Sequence, residues 1–307
     1  MSQLMALGVV VIGALFAAYL IHRSRHRQRM LQSRLPGAAR EYLEHNVWLY
    51  RCLPEEVRER LDGPVNLFLS ELTFEGAAGL EIDDGKRLIV AAQACLLTLN
   101  NRTSRFARLS SIILYPSTYV AKRNRHDGWL VHSGEDALAG EAWSIGAVTL
   151  AWDEVVAATS GANGGHNVVL HEFAHVIDYE DGDFDGLPGG QGPLDPAAWR
   201  RVMQREYARL RRRSVLRTRS VIDTYGAQDP SEFFAVITEH FFHKPHELFV
   251  SHPEVYGQLR SYYGLNPVTW VVAPEAQEPG GGGDTGVPHG EGDGAAGAKQ
   301  DETDGEL

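Results

Sequence analysis

Cysteine is scarce: the chain of 307 residues has 2, Cys52 and Cys95. Neither sits in a C-x-x-C pair. No disulfide framework is encoded, and both read as small apolar residues rather than reactive thiols. Such usage fits a reducing compartment. No internal repeat is present, which excludes a solenoid or a propeller. A nucleic-acid-binding motif is also missing. Net charge is −11, but it is unevenly placed, with a basic N-terminal flank and an acidic far C-terminus. The overall sign therefore argues for no nucleic-acid partner, and direct nucleic-acid binding is not expected. The Asp- and Gly-rich stretch 178–190 lacks EF-hand spacing, which favours a solvated connector over a calcium loop. Residues 4–21 carry no charge at all.

That uncharged stretch is long enough to cross a bilayer, which takes about 17–25 helical residues. A secretory signal carries its positive charge ahead of the apolar part. Here Met1, Ser2 and Gln3 have none, whereas Arg23, Arg25, Arg27 and Arg29 follow. Positive flanks stay inside. The expectation is a single-pass anchor with its N-terminus outside and everything after Ile21 in the cytoplasm, rather than a cleaved signal peptide. The arginines stand where anionic lipid head groups would meet them.

The densest chemistry lies at His171-Glu172-Phe173-Ala174-His175, an H-E-x-x-H pattern inside an apolar run from Val168 to Ile177. On a helix, residues i and i+4 project from one face, so two imidazoles close on one metal ion. Zinc held there lowers the pKa of a bound water to about 7, and Glu172 is placed to take the water's proton. Chance placement on a solvated helix is the rival, and the apolar flanks count against it.

Two histidines leave such a site one protein ligand short. Asp181 has a suitable spacing, but the turn-forming glycine of that layout is replaced by Asp178. Glu239 and His240 lie on a later helix. Glu232 heads that same helix, after the N-cap Asp229 and first-turn Pro230. Its rival role is a capping-box glutamate reaching back to Asp229. Apolar company at Phe233, Phe234, Ala235 and Val236 argues for burial, where a carboxylate needs a partner.

These stretches closely resemble the Mlc titration factor A family of zinc-dependent peptidases. The resemblance is carried by His171–Asp178, the preceding Gly165-His166-Asn167, and residues 222–242 with their Tyr-x6-Glu spacing and E-F-F-A-V-x-x-E-x-F-F run. It extends from about residue 49 to residue 265. It implies an α+β zincin-like fold of gluzincin type, with a catalytic core similar to that of anthrax lethal factor. It implies His171, His175 and Glu232 as ligands of one Zn2+ ion, Glu172 as the base, and Tyr225 as the phenol facing the scissile carbonyl. A further metal contact from His132, upstream of Trp143, is also implied; the alternative is a surface-loop histidine near Gly134. Asp178 would orient a ligand imidazole, or else belong to the solvated loop that follows.

For function, the resemblance implies a regulatory peptidase acting on a peptide or protein substrate, with aminopeptidase-type cleavage. It also implies a transcriptional regulator as a partner, since some members bind a repressor of sugar uptake. The apolar N-terminal stretch departs from soluble members. The rival is a binding protein that keeps the metal fold and sequesters a regulator.

The rest of the chain is expected to divide into an anchor (1–21), a basic juxtamembrane segment (22–40), a peptidase domain (41–272) and a disordered acidic Gly-rich tail (273–307). Helices are expected from Pro54, over 167–178, over 196–213, from Pro230 through Phe242, and over 253–263. Strands are expected at 111–115, 129–132 and 145–152. The last is a candidate for holding a peptide by main-chain pairing, or else an interior strand. The run 89–99 fits either class, and 65–74 reads as helix.

Overall fold

The computed structural model describes residues 2–100, 106, 108–117, 146–189 and 195–272. In chain order the described elements begin with α1 (Ser2–Gln32), α2 (Gly37–Asn46), α3 (Trp48–Cys52), α4 (Glu55–Glu71), β1 (Thr73–Gly76) and α5 (Asp84–Thr98). Strands β2 (Ser111–Tyr115) and β3 (Ala147–Ala151) follow, then α6 (Trp152–Thr159), α7 (Val168–Asp178) and α8 (Pro196–Val215). A 3-10 turn at Thr224–Ala227 leads to α9 (Pro230–His243), α10 (Pro245–Ser251) and α11 (Pro253–Tyr263). The result is a mostly helical α+β fold with a small parallel sheet. The expected strand at 129–132, with His132, lies outside the described residues.

The ambiguous run 89–99 is helical. Asp83 caps α5 by accepting from the Lys86 N–H at 2.7 Å, and every residue from Leu88 to Thr98 is buried. A helix buried all round loses the polar stripe that would mark its period, which is why the run was ambiguous. The stretch 65–74 ends differently from expectation: α4 stops at Glu71, and the chain turns extended at Thr73.

The sheet runs in the order β1-β2-β3, all parallel. Phe74 pairs with Ile112 and Ile112 with Val148. Ile112, Leu114, Val148 and Leu150 point into the core and are buried, the alternation a half-covered strand requires. Among the described residues β1 and β3 each pair with β2 alone, so both are outer strands there.

Local signals set the helices that carry the chemistry. Asn167 caps α7 by accepting from the Leu170 N–H at 3.0 Å. Asp229 caps α9 by accepting from the Glu232 N–H at 2.8 Å, with Pro230 at the first helical position. The two helices pack on one another. Phe173 on α7 meets Phe106 and Phe68 at ring-centre distances of 4.8 and 5.7 Å. Phe234, Phe241 and Phe242 fill the core around α9.

Helix α1 is apolar and long enough to cross a membrane over residues 7–32. Its first half exposes Val9, Ile12, Leu15 and Phe16. Its last turns lie on α4. A side-chain carbon at Gly63 would stand 2.1 Å from the Leu31 carbonyl oxygen, so only glycine admits this approach. Arg27 pairs with Glu71 at 3.2 Å, and the Asn66 amide donates to the Ser33 carbonyl at 3.1 Å.

Candidate metal centre

Helix α7 presents His171 and His175 one turn apart, and α9 presents Glu232 across from them. All three are buried. His171 Nε2 and His175 Nε2 lie 3.2 Å apart. Glu232 Oε2 is 3.0 Å from the first and 3.6 Å from the second. A tetrahedral zinc ion with bonds of about 2.0–2.1 Å has ligand-to-ligand edges of about 3.3 Å. The three donor atoms already stand at that spacing.

The outer nitrogens explain why the inner ones converge. His171 Nδ1 donates to Glu239 Oε1 at 2.7 Å, and His175 Nδ1 is 2.9 Å from the Ser231 hydroxyl. With protons on both Nδ1 atoms, both Nε2 lone pairs face inward. Glu232 Oε2 is buried with no hydrogen bond of good geometry among the described residues. Three lone-pair atoms pressed together in a buried pocket repel unless a cation sits among them. The donor set and the orphaned oxygen fit a metal ion.

The field at this point agrees. Burial works against a charged His171, but the nearby Glu232, Glu239 and Glu172 outweigh it and lift its pKa well above the usual imidazole value. Burial also works against ionised Glu232 and Glu239. The facing histidines prevail at both, holding Glu232 far below the usual carboxylate range and Glu239 down to about 2. Three carboxylates around two imidazoles favour positive charge between them.

Glu172, beside the first histidine, is half-buried. Tyr225 sits in the 3-10 turn and is 45 % exposed. Its hydroxyl is 3.4 Å from Glu232 Oε1 and its ring centre 5.8 Å from that of His171. Burial and the neighbouring carboxylates push its pKa up, so the phenol keeps its proton. A protonated hydroxyl thus stands beside the His–His–Glu group.

The other third-ligand candidates fall elsewhere. Asp181 closes an exposed turn, accepting from the Asp183 N–H at 3.2 Å. His240 turns away, its Nδ1 2.8 Å from the Val236 carbonyl. Glu239 lies behind His171 rather than beside the Nε2 atoms. Its second oxygen is 2.8 Å from His166 Nδ1 and accepts the Asn167 backbone N–H. Asp178 is fully buried at the end of α7 and accepts from the Gly186 N–H at 3.2 Å. Burial raises its pKa to about 7, against the pull of the Ser231 hydroxyl and the Gly186 N–H. Ser231 therefore stands between Asp178 and His175.

Sequence reasoning missed the layer behind these groups. The Asn167 side chain donates to Gln93 at 2.7 Å and lies 2.9 Å from His243 Nε2. Burial lowers the His243 pKa to about 4, so it is neutral and can accept. Its ring stacks on Trp48 at 5.3 Å. The available signal was a polar residue, Gln93, inside an otherwise apolar buried run.

The His–His–Glu group, seated between two core helices, could hold a metal ion, as a metallopeptidase requires. The chain belongs to the family described as glucose-regulated metallo-peptidase M90, whose model matches residues 21–264. It is 35 % identical over 243 residues to an uncharacterized protein of Synechocystis sp., covering 78 % of this chain and 88 % of that one. It is 29 % identical over 226 residues to Mlc titration factor A of Escherichia fergusonii, covering 72 % and 83 % of the two chains. To Mlc titration factor A of Serratia proteamaculans it is 29 % identical over 231 residues, covering 73 % and 86 %.

Proposed function

We propose that this protein is a zinc-dependent peptidase of gluzincin type, held at the membrane by its first helix. One observation carries the reading: His171 Nε2, His175 Nε2 and Glu232 Oε2 converge at 3.0–3.6 Å in a buried pocket with a negative field. These three residues would hold the ion. When bound, zinc supplies Lewis acidity, acidifying a water and polarising a substrate carbonyl.

The chain's own groups do the rest. Glu172 takes a proton from the attacking water and returns it to the leaving amine as the peptide bond breaks. Tyr225 donates a hydrogen bond to the oxygen on which negative charge develops. Glu239 and Ser231 hold the two imidazoles by their Nδ1 protons, fixing the tautomers that metal binding needs. Asp178 supports His175 through Ser231. β3, an outer described strand that packs against α7, is the candidate edge for an extended substrate. The family resemblance supports His132 as a further contact.

Residues 1–21 would span the bilayer, 22–40 would follow the cytoplasmic surface, 41–272 would form the peptidase domain, and 273–307 would be a solvated tail. Cleavage of aminopeptidase type and a regulatory role follow from the resemblance alone. The test is metal content alongside turnover of a panel of short fluorogenic peptides. Wild type should hold one zinc and cleave. Glu172→Gln should hold zinc without cleaving, and Glu232→Ala should do neither. Zinc-independent turnover would end this reading.

A second reading has its own support, since relatives are called titration factors and titration is a binding act. In that case the site shapes a surface that sequesters a regulator. Full biological activity in Glu172→Gln, with hydrolysis gone, would decide for it.

A further inference from the structure

Away from the metal centre, a cavity of about 590 Å3 opens between the last turns of α1, the α4 helix and the end of α5. Its two sides differ in kind. On the α1 side stand Arg23, His26 and Arg27; on the domain side stand Leu67, Phe68 and Leu99, with the polar Glu71, Thr98 and Ser110 also in the lining. Arg27 is paired with Glu71 at 3.2 Å. Arg23 is exposed and has no acidic partner among the described residues. Tyr19 also lines it, and the exposed apolar band of α1 runs on through Leu20 and Ile21 before Arg23. Along α1 the order is therefore an apolar band with a tyrosine near its end, then cations, as across a bilayer's chains and head groups.

A free anion would leave the apolar wall wetted, and a hydrocarbon would leave Arg23 unanswered. An amphiphile satisfies both. The bilayer around α1 would supply amphiphiles at high local concentration, and its anionic members complement the excess positive charge. We propose that this cavity binds one anionic phospholipid, with its phosphate between Arg23 and Arg27 and an acyl chain against Leu67, Phe68 and Leu99. The assignment rests on the reading of α1 as a membrane span. Phe68 also packs against Phe173 of α7, so the occupant lies one aromatic layer from the helix bearing both histidines.

The test uses the full-length protein reconstituted into vesicles of phosphatidylcholine alone or mixed with phosphatidylglycerol. Vesicle flotation is followed by gentle detergent extraction, and lipids retained per chain are counted by native mass spectrometry. One retained phosphatidylglycerol, preferred over phosphatidylcholine, is expected. Arg23→Gln should lower its retention about fivefold, the order for one cation near an anionic surface. Leu99→Trp, which fills the cavity, should abolish it while thermal melting stays cooperative. Equal retention of both lipids overturns the assignment, as does undiminished phosphatidylglycerol in both variants. A protein that floats but retains no lipid refutes the cavity alone. Failure to float removes the membrane anchor, and the lipid site with it.

Discussion

Helices α1 and α9 are both rich in apolar residues, and they meet opposite fates. In α9, every residue from Ser231 to His243 is buried, and among the polar ones Ser231, Glu232 and Glu239 meet the two histidines of α7. In α1, Leu15 and Ile12 are 66 % and 69 % exposed. Hydrophobicity alone does not place a helix. α9 finds its apolar solvent in the core formed with α7, whereas the first half of α1 has none within the described residues, and the proposed bilayer would supply it. The difference also governs polar groups. Glu232 and Glu239 are tolerated in α9 because facing imidazoles compensate them. The cations of α1 begin only where its apolar band ends.

Placing the same charge in both helices breaks the comparison most sharply. Val236→Arg on α9 buries a cation without a partner and should leave no folded domain, seen as loss of a cooperative thermal transition. Leu15→Arg on α1 should leave that transition intact and weaken only membrane insertion, by about 2.5–3.5 kcal/mol, read from the fraction that floats with vesicles. If Leu15→Arg also destroyed the melt, α1 would be part of the core.

Within the metal centre the expected effects are graded. Glu172→Gln should lower kcat about 10²–10⁴-fold with zinc retained. Tyr225→Phe should cost about 10²–10³-fold, again with zinc retained. Wild-type turnover in Tyr225→Phe would remove the phenol from the mechanism. The smallest change is Glu239→Gln, which should weaken zinc affinity about 10–100-fold by loosening His171. Competition with a chromogenic chelator measures it, and an unchanged affinity would make Glu239 a core residue only.

The H-E-x-x-H pair was legible because one helical turn fixes it locally. Glu232 was harder. Residues alone made it the best of several candidates without placing it, since its approach to His171 depends on how α9 packs on α7. Glu239 shows why. It lies two turns from Glu232 on the same helix, and both carboxylates face His171, one toward each ring nitrogen. Sequence shows the donor type but not which nitrogen it meets. The run 89–99 hid its helix because burial on all sides erased the period. Gln93 and His243 were invisible as a pair, since their link through Asn167 spans three elements.

The most direct measurement is zinc K-edge X-ray absorption on the purified protein and on Glu232→Ala. The account predicts one zinc with two imidazole nitrogens and a carboxylate oxygen at about 2.0–2.2 Å, and loss of that signal in the variant. A wild-type protein that binds no zinc, or a variant with an unchanged spectrum, would contradict it.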